Sequence, residues 1–300
     1  MGRIYTGISG WRYAGWRNVF YPAKLAQARE LEFASRQVQT IEINGSHYSL
    51  QTQQSYARWH DATPTDFVFS VKGPRYLTHM LRFRDATSTT ALANFFASGL
   101  FRLREKLGPV LWQFPATFKF DKQGFEDFLR MLPHDMETAS ALAAQHDARV
   151  KDPCIHPEVA GRVRHAIEIR HDSFCNDAFI KLLRRHKAAL VLSDSVADWP
   201  YAEDLTADFV YMRLHGTETL YGGAYSDAAL DHWAARMRIW ADGGEPSDAR
   251  RIATTPARSP GGRGHTGRRH AGRDVYCYFD NDMKVQAPFD AKRLMERLLS

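Results

Sequence analysis

Residue types that can do chemistry gather at the ends of short apolar runs in this chain. The segment FVYMRLH (209–215) begins as a buried β-strand should. It then sets Arg213 and His215 two residues apart, so both side chains leave one face of an extended chain. Burying a guanidinium and an imidazole there is costly unless they are paired or solvated. The pattern recurs. VQTIEIN (38–44) ends with Glu42 and Asn44 on one parity and Ile41 and Ile43 on the other; FVFSVK (67–72) ends with Ser70 and Lys72. PVLWQF (109–114) shows Gln113, HAIEIR (165–170) shows Glu168 and Arg170, and AALVLSD (188–194) finishes on Asp194. DVYCYFD (274–280) finishes on Asp280, with Asn281 and Asp282 following, and RIYTGIS (3–9) ends on Ser9 with Trp11 just beyond.

Carboxylates beside an imidazole suit acid–base catalysis, which makes Glu42, Glu168, Asp194 and His215 the catalytic candidates. Lys72, Arg170 and Arg213 suit the clamping of an anionic group. The four catalytic candidates also offer mixed oxygen and nitrogen donors that Mn²⁺, Mg²⁺ or Zn²⁺ would accept, but no HxxxH or HExxH spacing supports a metal. No metal ligands are therefore assigned, and the cofactor stays open between none and a divalent ion. No nucleophile stands out: GxSxG is absent, and Cys154 beside His156 has no third partner.

These strand ends need a frame that brings them together. Helix-period segments fall between the runs, at about 24–36, 53–60, 89–107, 122–132 with 138–146, 177–186, 227–241 and 290–299. Asn176, Ser226 and Phe289-Asp290 supply helix starts, and the link after the sixth strand has room for only a short helix. Alternating strand and helix implies parallel strands joined by crossovers, and about eight such units fit an α/β fold of the (β/α)₈ TIM-barrel type in a single domain, 1–300. No GxGxxG or GxxxxGK[ST] supports a nucleotide-binding open sheet. In a barrel one parity faces the lumen and the other the helices, so the polar strand ends would converge at the C-terminal mouth. The loop GTETLYGGAYS after His215 reads as a lid carrying Tyr221 and Tyr225. The loop KGPRYLTHMLRF brings His79 over the mouth.

The formal net charge of +6 is local. Seven arginines against Asp248 alone lie between Asp248 and Arg273, which leaves the rest of the chain formally neutral. That Arg/Gly/Pro-rich stretch has no apolar periodicity and reads as a disordered basic insertion. Its arginines, Arg250 to Arg273, are the one place where nucleic acid would be contacted. Three widely spaced cysteines argue against a disulfide framework. No apolar run approaches the roughly 20 residues of a membrane span, and MGRIYTGISGW lacks the apolar core of a signal peptide, so a cytoplasmic protein without membrane contact is expected.

Several stretches, in order along most of the chain, resemble the family of unknown function 72, also described as YecE-like. They are GISGWRYAGWRNVFYP, VQTIEINGSHYSL, TPTDFVFSVKGPRYLTH, LGPVLWQFP, AIEIRHDSF, VYMRLHG with YGGAYSDAAL, and VYCYFDNDMKVQAPFDAKRL. The resemblance implies a (β/α)₈ barrel with these motifs at its mouth and no particular reaction. Where the family commonly carries an asparagine pair, this chain has Asp280-Asn281. The expectation is an enzyme acting on a small polar, anionic or sugar-like ligand at the mouth. Trp11, Asn44, Lys72, His79, Gln113, Arg170, Arg213, Tyr221, Tyr225, Asp280 and Asn281 would be its binding residues. A metal-dependent hydrolase or nuclease, and a non-catalytic protein that contacts nucleic acid through the basic insertion, are the alternatives.

Overall fold

The computed structural model describes residues 1–83, 86–254 and 272–299. Eight parallel strands close into a barrel in sequence order: β1 (Ile4–Ser9), β2 (Thr40–Ile43), β3 (Val68–Lys72), β4 (Leu107–Gln113), β5 (His165–Glu168), β6 (Ala189–Asp194), β7 (Phe209–Leu214) and β8 (Asp274–Phe279). All eight coincide with the runs expected from the sequence. β-Branched and aromatic residues fill them, and strands buried on both faces tolerate little else. β8 pairs back onto β1, with Tyr276 beside Tyr5 and Phe279 beside Ile8.

The helices are α1 (Glu30–Ala34), α2 (Gly45–Tyr48), α3 (Gln53–Asp61), α4 (Ala86–Ala97), α5 (Lys122–Met131), α6 (Met136–Ala143), α7 (Asp177–Arg185), α8 (Asp227–Ala241) and α9 (Gln286–Leu299). Asn176 and Ser226 cap α7 and α8 as expected, accepting the backbone N–H of Phe179 at 3.0 Å and of Ala229 at 3.2 Å. α9 starts earlier than Asp290. Pro288 fits its first turn, where a missing N–H costs nothing. Asp290 is instead buried and accepts from Tyr225 N at 3.0 Å and Asn281 Nδ2 at 2.9 Å. Residues 195–208 form no helix; Ala202–Thr206 are buried as extended chain against β6.

Two apolar volumes result. Between strands and helices runs the larger one, where Phe114, Phe118, Phe125, Phe128, Phe174 and Phe179 stack on one another under α5 and α7. Inside the barrel lies a small one of Leu111, Ala166, Ala189, Val191, Phe209, Tyr211, Tyr276 and Tyr278. Its upper tyrosines turn polar: Tyr278 Oη lies 2.9 Å from Thr40 Oγ1, and Tyr211 Oη lies 2.8 Å from Ser70 Oγ.

The basic insertion is narrower than its composition suggests. Arg250 N donates to Glu203, and Ile252 N and Ala253 N donate to the buried Asp204 carboxylate at 2.6 and 3.1 Å. Arg273 is buried with its guanidinium on Gly243 O at 2.9 Å. Residues 250–253 thus pack on the barrel because two carboxylates on the 195–208 link collect their backbone N–H groups, and Arg273 is held separately by Trp240 O and Gly243 O. The disordered-insertion reading and most of its arginines fall on 255–271, outside the described residues.

Close strand contact sets a demand at Gly7, where an added Cβ would stand 1.8 Å from Thr40 O. Gly7→Ala is expected to lower the unfolding free energy by at least about 1 kcal/mol, the low end of overpacking costs, read as a lower denaturant midpoint. An unchanged midpoint would show that the β1–β2 wall yields.

Candidate functional site

The mouth is organised around the Arg213 guanidinium, 1% exposed at the end of β7. Tyr211 and Arg213 share the lumen parity, so the side chain rises from the tyrosine layer onto the barrel axis. Nη2 donates to Glu42 Oε1 at 2.9 Å and Ser9 Oγ at 2.9 Å, Nε to Glu42 Oε2 at 3.2 Å, and Nη1 to Glu168 Oε2 at 2.9 Å. Asp280 Oδ2 lies 2.9 Å from Nη2. Burial alone would lower the Arg213 pKa; Asp280, Glu42 and Glu168 more than reverse that and hold it well above its ordinary value.

The carboxylates are occupied in turn. Glu42 also accepts from Ser9 Oγ and Tyr211 Oη, each at 2.6 Å. Glu168 Oε1 takes Arg170 Nε at 2.8 Å and Nη2 at 2.7 Å, and the Arg170 guanidinium lies 3.7 Å over the Trp199 ring. Burial would raise the Glu168 pKa, but Arg170 and Arg213 hold it well below the carboxylate range. Asp280 is brought down to about 2, its burial overridden by Arg213 and His215. His215 is fully buried with Nδ1 2.9 Å from Asp280 Oδ2 and its ring edge-on to Trp199 and Tyr221. Its Nε2 has no hydrogen-bond partner among the described residues.

Above this network opens a cleft of about 480 Å³. Lys72, Arg213 and Asp280 form its floor, Trp11, Tyr13, Trp59, Tyr48 and Tyr221 its walls, and Arg12, Gln51 and Asp282 its rim. Lys72 is 8% exposed, and its ammonium makes no ion pair or hydrogen bond among the described residues. Burial, and then the neighbouring Arg213, push its pKa down to about 8. Burial, with Asp280 close by, raises Asp282 to about 6. Asn44 gives Nδ2 to Ser9 Oγ at 2.9 Å, and its Oδ1 is left unpartnered beside the cleft. Tyr221 has a left-handed backbone, φ 64°, inside a turn where Gly216 comes so close to Gly222 that a Cβ would stand 2.1 Å from Gly222 O. That turn aims the Tyr221 ring at His215 and the cleft.

The structure therefore brings Glu42, Glu168, His215, Lys72, Arg170, Arg213, Asn44, Trp11, Tyr221 and Asp280 together, and sets others apart. Asp194 is not in the mouth. It follows Leu190 and Leu192 on the outward parity of β6, and Ser193 is the inward residue. Its carboxylate meets Tyr225 and Trp233 under the helix layer, where burial raises its pKa. Tyr225 is buried on the same side, with Gly216 N donating to its hydroxyl at 3.3 Å. Asn281, one residue past Asp280, takes the opposite parity and ties Gly223 O at 2.9 Å to the Asp290 carboxylate, as a clasp for the loop. Gln113 has lumen parity and pairs in register with Glu168, but it does not line the cleft, and its Nε2 lies 3.4 Å from Phe114 O. His79 sits on the helical turn Tyr76–Leu81, with Nδ1 2.8 Å from Thr78 Oγ1. Burial and the Lys72 charge push its pKa down to about 4.

Among the described residues no three His, Cys, Asp or Glu side chains converge as a metal-ligand set. The donors expected for one are separated by the parity of Asp194, and both glutamates are held by guanidinium groups. Sequence reasoning missed Tyr211, Tyr13, Trp59 and Trp199 as site residues. Tyr211 was visible by parity, two before Arg213. Trp59 and Trp199 reach the mouth from α3 and the 195–208 link, and nothing in their local sequence signals it.

A closed parallel barrel with an ion-paired mouth under an aromatic cleft places the chain among the (β/α)₈-barrel proteins. The family model described as "Protein of unknown function DUF72" matches residues 5–300, and the chain belongs to that family. It is 30% identical over 136 residues to the UPF0759 protein YunF of Bacillus subtilis, which covers 44% of this chain and 47% of that protein. It is 27% identical over 115 residues to the UPF0759 protein YecE of Escherichia coli K12, covering 38% of this chain and 39% of the relative. The chain thus spans about half or less of the length of these relatives. Among solved structures, a DUF72 family protein from Thermotoga maritima is similar over 99% of this chain and 100% of its own, with TM-score 0.71 and 23% identity. One from Enterococcus faecalis gives 0.65 at 16% identity, over 99% of this chain and 96% of its own. These likenesses show the fold. Among the described residues no helix is long and apolar enough to cross a membrane.

Two titrations follow from the geometry. Asp280, at about 2 in the folded chain and about 3.9 unfolded, contributes stability that is full above about pH 4 and lost as pH falls through about 2. Asp280→Asn should flatten that acid limb in a plot of denaturant midpoint against pH. Lys72 has the opposite consequence at neutral pH. Its charge is disfavoured by folding, so wild type gains stability as pH rises from about 8 towards about 10.5. Lys72→Met is expected to raise the melting temperature at pH 7 by a few degrees, roughly 1–3 kcal/mol, and to abolish the alkaline gain. A lower melting temperature would mean that Lys72 is a structural ion-pair member.

Proposed function

We propose that this chain is an enzyme whose substrate is a small polar, anionic or sugar-like molecule held in the C-terminal cleft. What supports the reading most is the unpaired Lys72. A structural plug would match each buried charge to a partner. Here Arg213 and Arg170 absorb Glu42 and Glu168, and a lysine is left facing the cleft. A charge kept at a cost in stability is characteristic of functional sites.

In this reading Glu42 and Glu168 hold Arg213 and do not themselves move protons. Asp280 spends Oδ2 on Arg213 and His215, while Oδ1 makes no hydrogen bond among the described residues. Asp282, raised to about 6, is the acid–base group on the cleft, and Asp280 stays an ionised acceptor. Trp11 and Trp59, packed edge to face at 5.4 Å, offer an apolar wall of the kind a sugar ring lies against. Lys72, on the cleft floor, faces the polar end of the ligand.

A panel of neutral sugars, sugar acids and sugar phosphates tests this through ligand-induced melting shifts. At least one member should stabilise wild type and the exposed-site control Cys175→Ser alike. Trp11→Ala should need at least about tenfold more ligand, or 1.4 kcal/mol, for the same shift. If no member shifts wild type, the reading fails.

A further inference from the structure

Among the described residues two lysines are buried, with contrasting surroundings. Lys106, 3% exposed, donates to His60 O at 2.6 Å, Thr63 O at 2.9 Å and Thr63 Oγ1 at 3.1 Å. Its three donors are satisfied, as a structural ammonium requires. Lys72 has none of these partners, although Glu42, Glu168 and Asp280 lie near enough to act on it. Its strand end is pinned, since Ser46 Oγ donates to Lys72 O at 2.7 Å. The backbone that carries the side chain is therefore fixed, and the amine on the cleft floor has all its hydrogen-bonding capacity open to a ligand.

We propose that Lys72 is a nucleophile and that the cleft takes an aldehyde or ketone, which Lys72 holds covalently as an imine. This rests on the reading of the cleft as an active site and names its substrate class. A lysine becomes nucleophilic near neutral pH when it is desolvated and set beside another cation. Burial and Arg213 supply both conditions here, and a pKa of about 8 leaves a useful fraction of free amine.

The step balances without an external oxidant or reductant. The deprotonated Nζ attacks the carbonyl carbon, and the C=O π pair moves to oxygen, which takes up the proton that nitrogen releases. The C–O bond of this carbinolamine then breaks as the nitrogen lone pair forms C=N, and the hydroxyl leaves as water. Its departure needs an acid. Asp282, lining the same cleft and titrating at about 6, can supply the proton and recover one from nitrogen. Asp280, held ionised by Arg213 and His215, offers its Oδ1 only as a hydrogen-bond acceptor.

Reductive trapping tests the assignment. Wild type, Lys72→Arg and Lys72→Met are incubated separately with glycolaldehyde, dihydroxyacetone or pyruvate and treated with sodium borohydride, and adducts are mapped by peptide mass spectrometry. At least one probe should modify Lys72 tenfold or more above the exposed Lys24, increasingly from pH 7 to 9, with no adduct at position 72 in either variant. No probe modifying Lys72 above Lys24 overturns the imine. The ligand panel then separates the two levels. If Lys72→Arg keeps the panel's melting shift while wild type yields no adduct, Lys72 is an anion binder and the cleft reading survives. If wild type shows neither adduct nor shift, both fall.

Discussion

A single guanidinium on the barrel axis determines the rest of the mouth. Arg213 presents a rigid fork of five donors, and the strand ends of β1, β2, β5 and β8 supply acceptors at 2.9–3.2 Å around it. Once those acceptors are taken, the chemistry left to the site is set by subtraction. Glu42 and Glu168 are spent on Arg213 and Arg170. Lys72, Asp282 and the free oxygen of Asp280 are what remain for a ligand.

The cost of such a network is kept low by its approach. Below it the lumen passes from apolar side chains to tyrosine hydroxyls bonded to Thr40, Ser70 and Glu42, so polarity rises in steps towards the mouth. The Arg213 network thus rests on hydroxyl groups, and such hydrogen-bonded surroundings lower the cost of buried charge. The outward faces of the same strands stay apolar and carry the aromatic packing against the helices. Stability and chemistry are thereby separated onto the two parities of each strand.

That separation explains which residues could be read in advance. Eight strands, the caps at Asn176 and Ser226, and the convergence of Ser9, Glu42, Lys72, Glu168, Arg213 and Asp280 follow from a period of two applied to short runs. Asp194 and Asn281 went astray under the same rule. Each is polar at a strand end, but its parity with Leu192 or against Asp280 points it at the helices. α9 likewise began before the polar residue that seemed to cap it, because Pro288 is compatible with a first turn and Asp290 was needed by Tyr225 and Asn281.

From sequence alone the barrel, the ring of polar strand ends and the placement of Arg213 inside the mouth were determined, since alternation, crossover and parity are local properties of a chain. Only the tertiary structure decided the pairing. Which carboxylate takes which guanidinium depends on distances across the barrel, between residues as far apart as Glu42 and Arg213. The unpaired state of Lys72 is decided the same way. So are the aromatic walls, because Trp59 and Trp199 arrive from segments whose own sequence is occupied with packing.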